Sequence, residues 1–440
     1  MKYYVQTYGC QMNEADSQLM SALLAEAGWE QCPAPEEADL IVLNTCSVRE
    51  KPEHKVMSRL GELNLLKQAR PDLIIAVTGC MAQRAGEAFF KRRGSVDLVI
   101  GTRSFHRIVE LTQRVREGGG PLAVLDSSED PSAARGRPQA SVGAVPLRAF
   151  VPIIRGCSNF CSYCIVPFVR GREISRPSDD IVAEIGSLAA RGAREVTLLG
   201  QNVLAYGRDL ADGDSFAGLL RRLQGIEGLW RVRFTTCHPR DVDDDLIDAI
   251  AGLSKVCEHM HLPLQAGNDR LLDSMHRGYD TAHYLSVVAR LRAAVPQIAI
   301  TTDIMVGFPG ETEAEFEECL SLYEQVGFDG AFMFAYSPRP GTAAAHRDDA
   351  VPGKTRLERL GRLIELQNGI TIARNQAELG QTAEVLVDGP AERGEGLLSG
   401  RTRGNKQTVF AGDQTLRGSL AAIRLTEAHL WGFRGVIASP

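Results

Sequence analysis

Short apolar runs of strand length recur along the first hundred residues, at 3–8, 40–45, 73–78 and 96–100, and helix-compatible sequence follows them. After the first run, Leu19, Met20, Leu23 and Leu24 form an apolar stripe at helical spacing, with Asn13 placed to cap that helix and Gly28 to end it. A second amphipathic stretch lies near 105–115. Strands alternating with helices predict an α/β fold, here an N-terminal parallel βα domain with helices on both faces of its sheet. The alternation resumes further on. Runs at 151–154, 196–199, 232–235, 259–262, 299–304 and 331–335 are separated by helical stretches such as 179–191 and 281–294. Six such strands predict a partial (βα)6 barrel, with chemistry at the C-terminal strand ends. A polar helix over 354–379 leads out. From Thr382 the pattern changes to short alternating runs (383–387, 408–410, 421–425) broken by turns at Asp388-Gly389 and Arg403-Gly404-Asn405, which predicts a small β-barrel.

A chain of 440 residues has room for two to four domains, and 44% hydrophobic content excludes wholesale disorder. Its 49 Lys and Arg against 55 Asp and Glu give a net charge of −6, which excludes nucleic-acid binding by bulk positive charge; RNA contact has to come from local patches. There is no apolar run of the roughly 18 residues a membrane span needs, and the start, MKYYVQTYGC, lacks the basic-then-apolar layout of a signal peptide. A cytoplasmic location is therefore expected, where thiols stay reduced and ten cysteines point to metal or redox chemistry rather than disulfides.

The strongest chemical signal is Cys157, Cys161 and Cys164 in Arg155-Gly156-Cys157-Ser158-Asn159-Phe160-Cys161-Ser162-Tyr163-Cys164. Three thiolates in one loop hold three irons of a [4Fe–4S] cluster and leave the fourth open to a substrate or cofactor. Zinc is the competing metal, though it usually needs a further ligand pair to close its tetrahedron. Cys10, Cys46 and Cys80 each end a predicted strand and lie 36 and 34 residues apart, about one βα repeat. In a parallel sheet those ends fall side by side at the edge where open α/β sheets bind ligands, which predicts a second three-cysteine cluster. Singly, each also reads as a small buried hydrophobe. Cys32, Cys257 and Cys319 lack any constellation and read as structural, and His259 and His261, on one strand face, as core or supporting residues. Between 131 and 178, Arg135, Arg137, Arg148, Arg155, Arg170, Arg172 and Arg176 face a single acid, Glu173. This belt reads either as a seat for RNA phosphates or as a solvated loop face. In the last segment Arg401, Arg403 and Lys406 are the candidates for a basic patch.

The cysteine spacing, with an aromatic before the last Cys, resembles the radical S-adenosylmethionine (SAM) superfamily. Both trios together, followed by a C-terminal β module, resemble the methylthiotransferases, essentially end to end. The matching stretches are Thr7-Tyr8-Gly9-Cys10-Gln11-Met12-Asn13-Glu14, Asn44-Thr45-Cys46-Ser47-Val48-Arg49-Glu50, Thr78-Gly79-Cys80-Met81-Ala82-Gln83, Cys164-Ile165-Val166-Pro167-Phe168-Val169-Arg170-Gly171-Arg172-Glu173, Leu199-Gly200-Gln201-Asn202-Val203 and Tyr336-Ser337-Pro338-Arg339-Pro340-Gly341-Thr342. The resemblance implies an auxiliary-cluster domain at 1–118, a linker at 119–142 (rich in Ser, Ala, Gly and Pro over 127–146), a radical SAM core at 143–374 and a TRAM domain at 376–438.

It also implies two [4Fe–4S] clusters, one on Cys157, Cys161 and Cys164 and one on Cys10, Cys46 and Cys80, with SAM on the open iron of the first. Tyr163 would lie near the adenine of SAM, or serve as a core aromatic shielding the cluster. Gln201 would face its methionine part, and residues 302–311 would run along the adenine. The implied reaction adds a methylthio group to C2 of an N(6)-dimethylallyladenosine at position 37 of tRNA, beside the anticodon. SAM cleavage yields the radical that removes the C2 hydrogen, the auxiliary cluster supplies sulfur, and a second SAM the methyl group. Partners would be the tRNA anticodon stem-loop and an external one-electron donor, the chain acting as a monomer away from membranes. Family alternatives are a threonylcarbamoyl-bearing adenosine or a ribosomal-protein aspartate; outside the enzymes, a non-catalytic iron–sulfur RNA-binding protein. Cys237 departs from the expected Ser, as a conservative replacement or an accessory thiol.

Overall fold

Two strands with every side chain buried, Leu40–Thr45 and Ile74–Gly79, are the middle of a parallel sheet, where both faces are covered and apolar runs need not alternate. With β1 (Lys2–Thr7), β2 (Glu30–Gln31), β3 (Leu40–Thr45), β4 (Ile74–Gly79), β5 (Leu98–Ile100) and β6 (Leu122–Val124), the sheet order is β2-β1-β3-β4-β5-β6, all parallel. One face packs Ile41, Leu43, Ile75 and Val77 against Val56 and Leu60 of the helix Glu50–Ala69; the other packs Leu40, Val42, Ile74 and Ala76 against Met20, Leu24 and Ile108. The computed structural model describes residues 1–47, 50–93, 95–125, 145–211 and 213–438. Strand β6 lies inside the stretch expected as linker, so the sheet runs on to Val124; three residues are too few to show a period. The first helix, α1 (Gln11–Glu26), starts one turn earlier than the sequence suggests. Cys10 occupies the cap position and Asn13 the third helical position, with Gly28 just beyond the end as expected.

The central domain contains β7 (Arg148–Pro152), the short antiparallel pair β8 (Ile154–Arg155) and β9 (Ile174–Ser175), β10 (Glu195–Leu199), β11 (Arg231–Thr235), β12 (His259–His261), β13 (Ala299–Val306) and β14 (Gly330–Ala335). Parallel pairing gives β7-β10-β11 and β12-β13-β14, and a bridge between Val232 and Val256 joins the halves into an open six-strand barrel. One continuous apolar cluster packs its strands against the surrounding helices, Val151, Leu198, Phe234 and Ile300 meeting residues such as Ile181, Leu219 and Tyr284. After the helix Gly353–Ala377, the strands β15 (Thr382–Pro390), β16 (Leu397–Thr402), β17 (Gln407–Ala411), β18 (Leu420–His429) and β19 (Gly432–Ile437) close into a small barrel of order β15-β16-β17-β19-β18. Asp388-Gly389, expected as a turn, lies inside β15, where the register shifts between Val387 and Gly389 as a bulge. The Arg403-Gly404-Asn405 turn between β16 and β17 is as expected.

The two outer domains sit at opposite ends of the central strands. Helix α1 packs Met12 and Ala15 onto Phe150 and Leu199, near the C-terminal strand ends. The small barrel docks where the strands begin. Arg231, fully buried, donates to Glu384 at 2.8 Å and to the Arg401 carbonyl at 2.7 Å, and Arg233 donates to the carbonyls of Thr402 and Arg403. Arg403 pairs with Glu258 at 2.6 Å and Lys406 with Asp329 at 3.0 Å. The residues expected as a basic RNA patch, Arg403 and Lys406, are thus interdomain anchors, and Arg401 folds back onto the Asn405 carbonyl.

Candidate metal centres

Three neighbouring strands, β1, β3 and β4, deliver Cys10, Cys46 and Cys80 to one edge of the N-terminal sheet, as their near-equal spacing predicts. The approach is close enough to demand glycine. A Cβ on Gly79, whose φ is +94°, would stand 2.2 Å from the Thr45 carbonyl, and one on Gly9 would stand 2.7 Å from Cβ of Cys46. Beneath the trio, buried amides lock the strand ends to α1: Asn13 donates to Asn44 Oδ1 at 3.0 Å and to the Thr45 carbonyl at 3.1 Å, and Asn44 donates back to the Asn13 carbonyl at 2.7 Å. Cys10 is exposed, whereas Cys46 and Cys80 are buried. A hydrogen bond from Cys46, aided by the Arg170 charge and the helix-start amides, pushes the Cys10 thiol down to about 5, and burial pushes Cys80 up.

The second trio lies just past β7. Gly156, at φ +81°, lets the chain turn against the Arg172 carbonyl, which a Cβ would meet at 1.9 Å. The Gly156 amide donates to Gln201 Oε1 at 2.6 Å, so Gln201, at the end of β10, does reach the cysteine loop. Cys157 and Cys164 are pushed up by burial to about 11 and about 12, so as free thiols they stay protonated; metal binding has to displace those protons. Tyr163 is half-buried and packs with Phe308, Met275 and Ala266. Among the described residues no three His, Cys, Asp or Glu side chains surround a point as ligands of one metal ion; a four-iron cluster asks less, one thiolate at each of three irons.

Buried arginines bind the arrangement together, and the sequence reading misses their role. Arg277 donates from Nη1 to Cys161 Sγ at 3.3 Å and to the Tyr163 hydroxyl at 3.4 Å, and from Nη2 to the Pro263 carbonyl. Arg170, at the end of the helix Val166–Arg170 that follows Cys164, crosses to the N-terminal domain. Its Nε lies 3.3 Å from Cys80 Sγ, and its Nη2 lies 3.0 Å from Oδ2 of the buried Asp16. Cys80 also packs on Ile165 and Val169, next to Cys164, so the two trios share one interface. The basic belt is therefore mostly internal. Arg155 pairs with Asp16 at 3.7 Å, Arg176 with Glu184 at 2.6 Å and Arg148 with Asp388 at 2.9 Å, while Arg172 is exposed. Arg135 and Arg137 lie outside the described residues. A run of cations with one acid inside it is paired here mostly by acids outside it, Asp16 and Asp388 far along the chain and Glu184 just beyond the run.

His238, at the end of β11, is a further residue the sequence reading passes over. Burial, with Arg277 and Arg240 nearby, holds it neutral, pushed down to about 2, and its Nε2 is buried without a hydrogen-bond partner among the described residues. The remaining candidates are buried. Cys237 belongs to the barrel core, and Cys32, Cys257 and Cys319 are buried. His259 and His261 share the Thr301 hydroxyl at 3.1 Å each, and His261 also faces Asp303 at 3.5 Å. Within 302–311, Thr302 donates to the Leu262 carbonyl, and Glu311 closes a turn onto the Gly307 amide.

A three-cysteine loop at the mouth of an open six-strand barrel, met there by a second trio from an α/β sheet, places the chain among iron–sulfur proteins of the radical SAM class. Residues 151–323 match the Radical SAM superfamily, and residues 2–101 match a family described only as "Uncharacterized protein family UPF0004". The fold resembles that of the radical S-adenosylmethionine methyltransferase TsrM from Kitasatospora setae, with a TM-score of 0.57 at 15% identity over 90% of this chain and 80% of that one. The chain belongs to the tRNA-2-methylthio-N(6)-dimethylallyladenosine synthase family. It is 51% identical to the member from Moorella thermoacetica over 98% of this chain and 96% of the relative. It is 50% identical to the Geobacter metallireducens member over 99% and 98%.

Proposed function

We infer that this chain is a radical SAM transferase that adds a methylthio group to C2 of N(6)-dimethylallyladenosine at position 37 of tRNA. The relatives above carry that substrate in their names, which favours it over a threonylcarbamoyl adenosine or a ribosomal-protein aspartate. The observation that carries the reading is the meeting of the two trios: Cys80 packs on Ile165, the residue after Cys164. When bound, two [4Fe–4S] clusters and SAM supply one-electron chemistry, sulfur and methyl, which an unactivated aromatic C–H requires because it offers no acidic proton to a side-chain base. Cys157, Cys161 and Cys164 hold the SAM cluster, and Cys10, Cys46 and Cys80 the auxiliary one. Gln201 shapes the loop around the first, and Tyr163 walls the SAM side.

Two surfaces suit a splayed anticodon loop. Phe160 and Phe168, 44% and 58% exposed, meet edge-to-face at the rim with Arg172 near them in sequence, an arrangement on which bases stack. A cleft of about 1130 Å³ between the domains, bordered by Met81 next to Cys80, carries Arg84, Arg339 and Arg356. An external one-electron donor, a monomeric state and a cytoplasmic location complete the reading; among the described residues no helix is long and apolar enough to cross a membrane. The test is nucleoside mass spectrometry of tRNA from a deletion strain. Loss of 2-methylthio-N(6)-dimethylallyladenosine, restored by the intact gene and not by Cys10→Ala or Cys161→Ala, is expected. Normal levels in the deletion strain refute the assignment.

A further inference from the structure

We propose that Arg170, a residue of the radical SAM core, is the positioning residue of the auxiliary cluster: it donates a hydrogen bond to the Cys80 thiolate and raises the reduction potential of the cluster held there. The inference rests on the two-cluster reading above. Arg170 has two ends in use. Nε faces Cys80 Sγ at 3.3 Å, and Nη2 is held by Asp16 at 3.0 Å, so the planar fork is aimed at the sulfur by a partner on the opposite domain. Asp16 is fully buried and has a second cation, Arg155, at 3.7 Å. One carboxylate facing two arginines leaves a surplus positive charge in a dry place, and a buried charge needs a counter-charge. The anion this charge would face is the Cys80 sulfur once it ligates iron, 3.3 Å from Nε. A hydrogen bond and a net cation beside a ligand sulfur favour the more negative, reduced cluster, which raises its potential. The other trio has a parallel in Arg277, 3.3 Å from Cys161, but there donor and sulfur come from the same domain. At Cys80 the donor arrives only when the core docks on the N-terminal sheet, so the auxiliary cluster's potential becomes a property of the closed interface.

The experiment uses the full chain with Cys157, Cys161 and Cys164 all replaced by Ala, reconstituted anaerobically so that only the auxiliary cluster loads. Its midpoint potential is read by redox titration with electron paramagnetic resonance. Arg170→Gln is expected to shift the midpoint to more negative potential at unchanged iron content. Arg170→Lys, which keeps the charge but reaches one partner rather than two, shifts it less. An unchanged midpoint in both variants at full iron content overturns the proposal. Where Arg170→Gln fails to load, the Lys variant decides the potential, and Arg170→Gln in the otherwise intact chain decides the rest. Loss confined to the auxiliary cluster there supports the positioning role, and equal loss of both clusters overturns it by making Arg170 a general structural residue. A parent background that loads no iron refutes the two-cluster reading instead, before any Arg170 variant is measured.

Discussion

The six cysteines differ in their readiness to react, and the difference follows from their surroundings. Cys10 is exposed with its thiol pushed down to about 5, so it is a thiolate above that pH, while Cys157 and Cys164, pushed up to about 11 and about 12, stay protonated at neutrality. In the cluster-free chain, brief iodoacetamide treatment at pH 7 should label Cys10 ahead of those two by peptide mapping, with a rate profile that inflects near 5. Cys237 sits in the barrel core, so Cys237→Ser should leave the iron content unchanged while costing about 1–3 kcal/mol by burying a hydroxyl. Iron analysis and denaturant unfolding read the two effects separately. The cysteines are legible in sequence because the type is scarce and the spacing regular. Asp16, Arg170 and Arg277 are not. Their partners lie 90 to 154 residues away, and within the local string Arg170 looks like one more phosphate-seeking cation.

At the scale of elements, strand ends and the turns after them do the positioning. Gly79→Ala puts a Cβ against the Thr45 carbonyl at a backbone angle that disfavours side chains. A loss of roughly 1–3 kcal/mol in denaturant unfolding is expected, together with selective loss of the auxiliary cluster's iron. Retained iron at unchanged stability would mean that the turn has slack the distances deny. The strands that read clearly from the sequence are those with unbroken apolar runs, such as β3 and β4. Those missed are short, like β6, or interrupted by glycine, like β16 with Gly400 and β19 with Gly435. Binary pattern carries little information where a strand offers only two or three inward positions.

For the whole molecule, the order of domains is readable and their orientation is not. Nothing in the local sequence announces that the small barrel caps the base of the central barrel, because the residues that dock it, Arg231, Arg233, Arg403 and Lys406, are the kind normally assigned to solvent or to RNA. Arg231→Ala removes a buried guanidinium that faces the buried Glu195 at 3.8 Å and the half-exposed Glu384 at 2.8 Å, and should lower stability by about 3 kcal/mol. Thermal unfolding checks this, with earlier proteolytic release of the segment after 377. Arg403→Ala and Lys406→Ala should likewise lower stability, yet leave the slope of log Kd against log salt for an anticodon stem-loop unchanged. A slope reduced by about one per residue would return them to the RNA interface.

The uneven exposure of the N-terminal trio gives the auxiliary centre a front and a back. Cys46 and Cys80 are sealed by strand ends and by the helix after Cys164, and Cys10 alone meets solvent. A cluster held by this trio, as proposed above, would meet solvent-borne reagents such as chelators from the Cys10 side. A partner that covers Cys10 would then shield such a centre from its one open side.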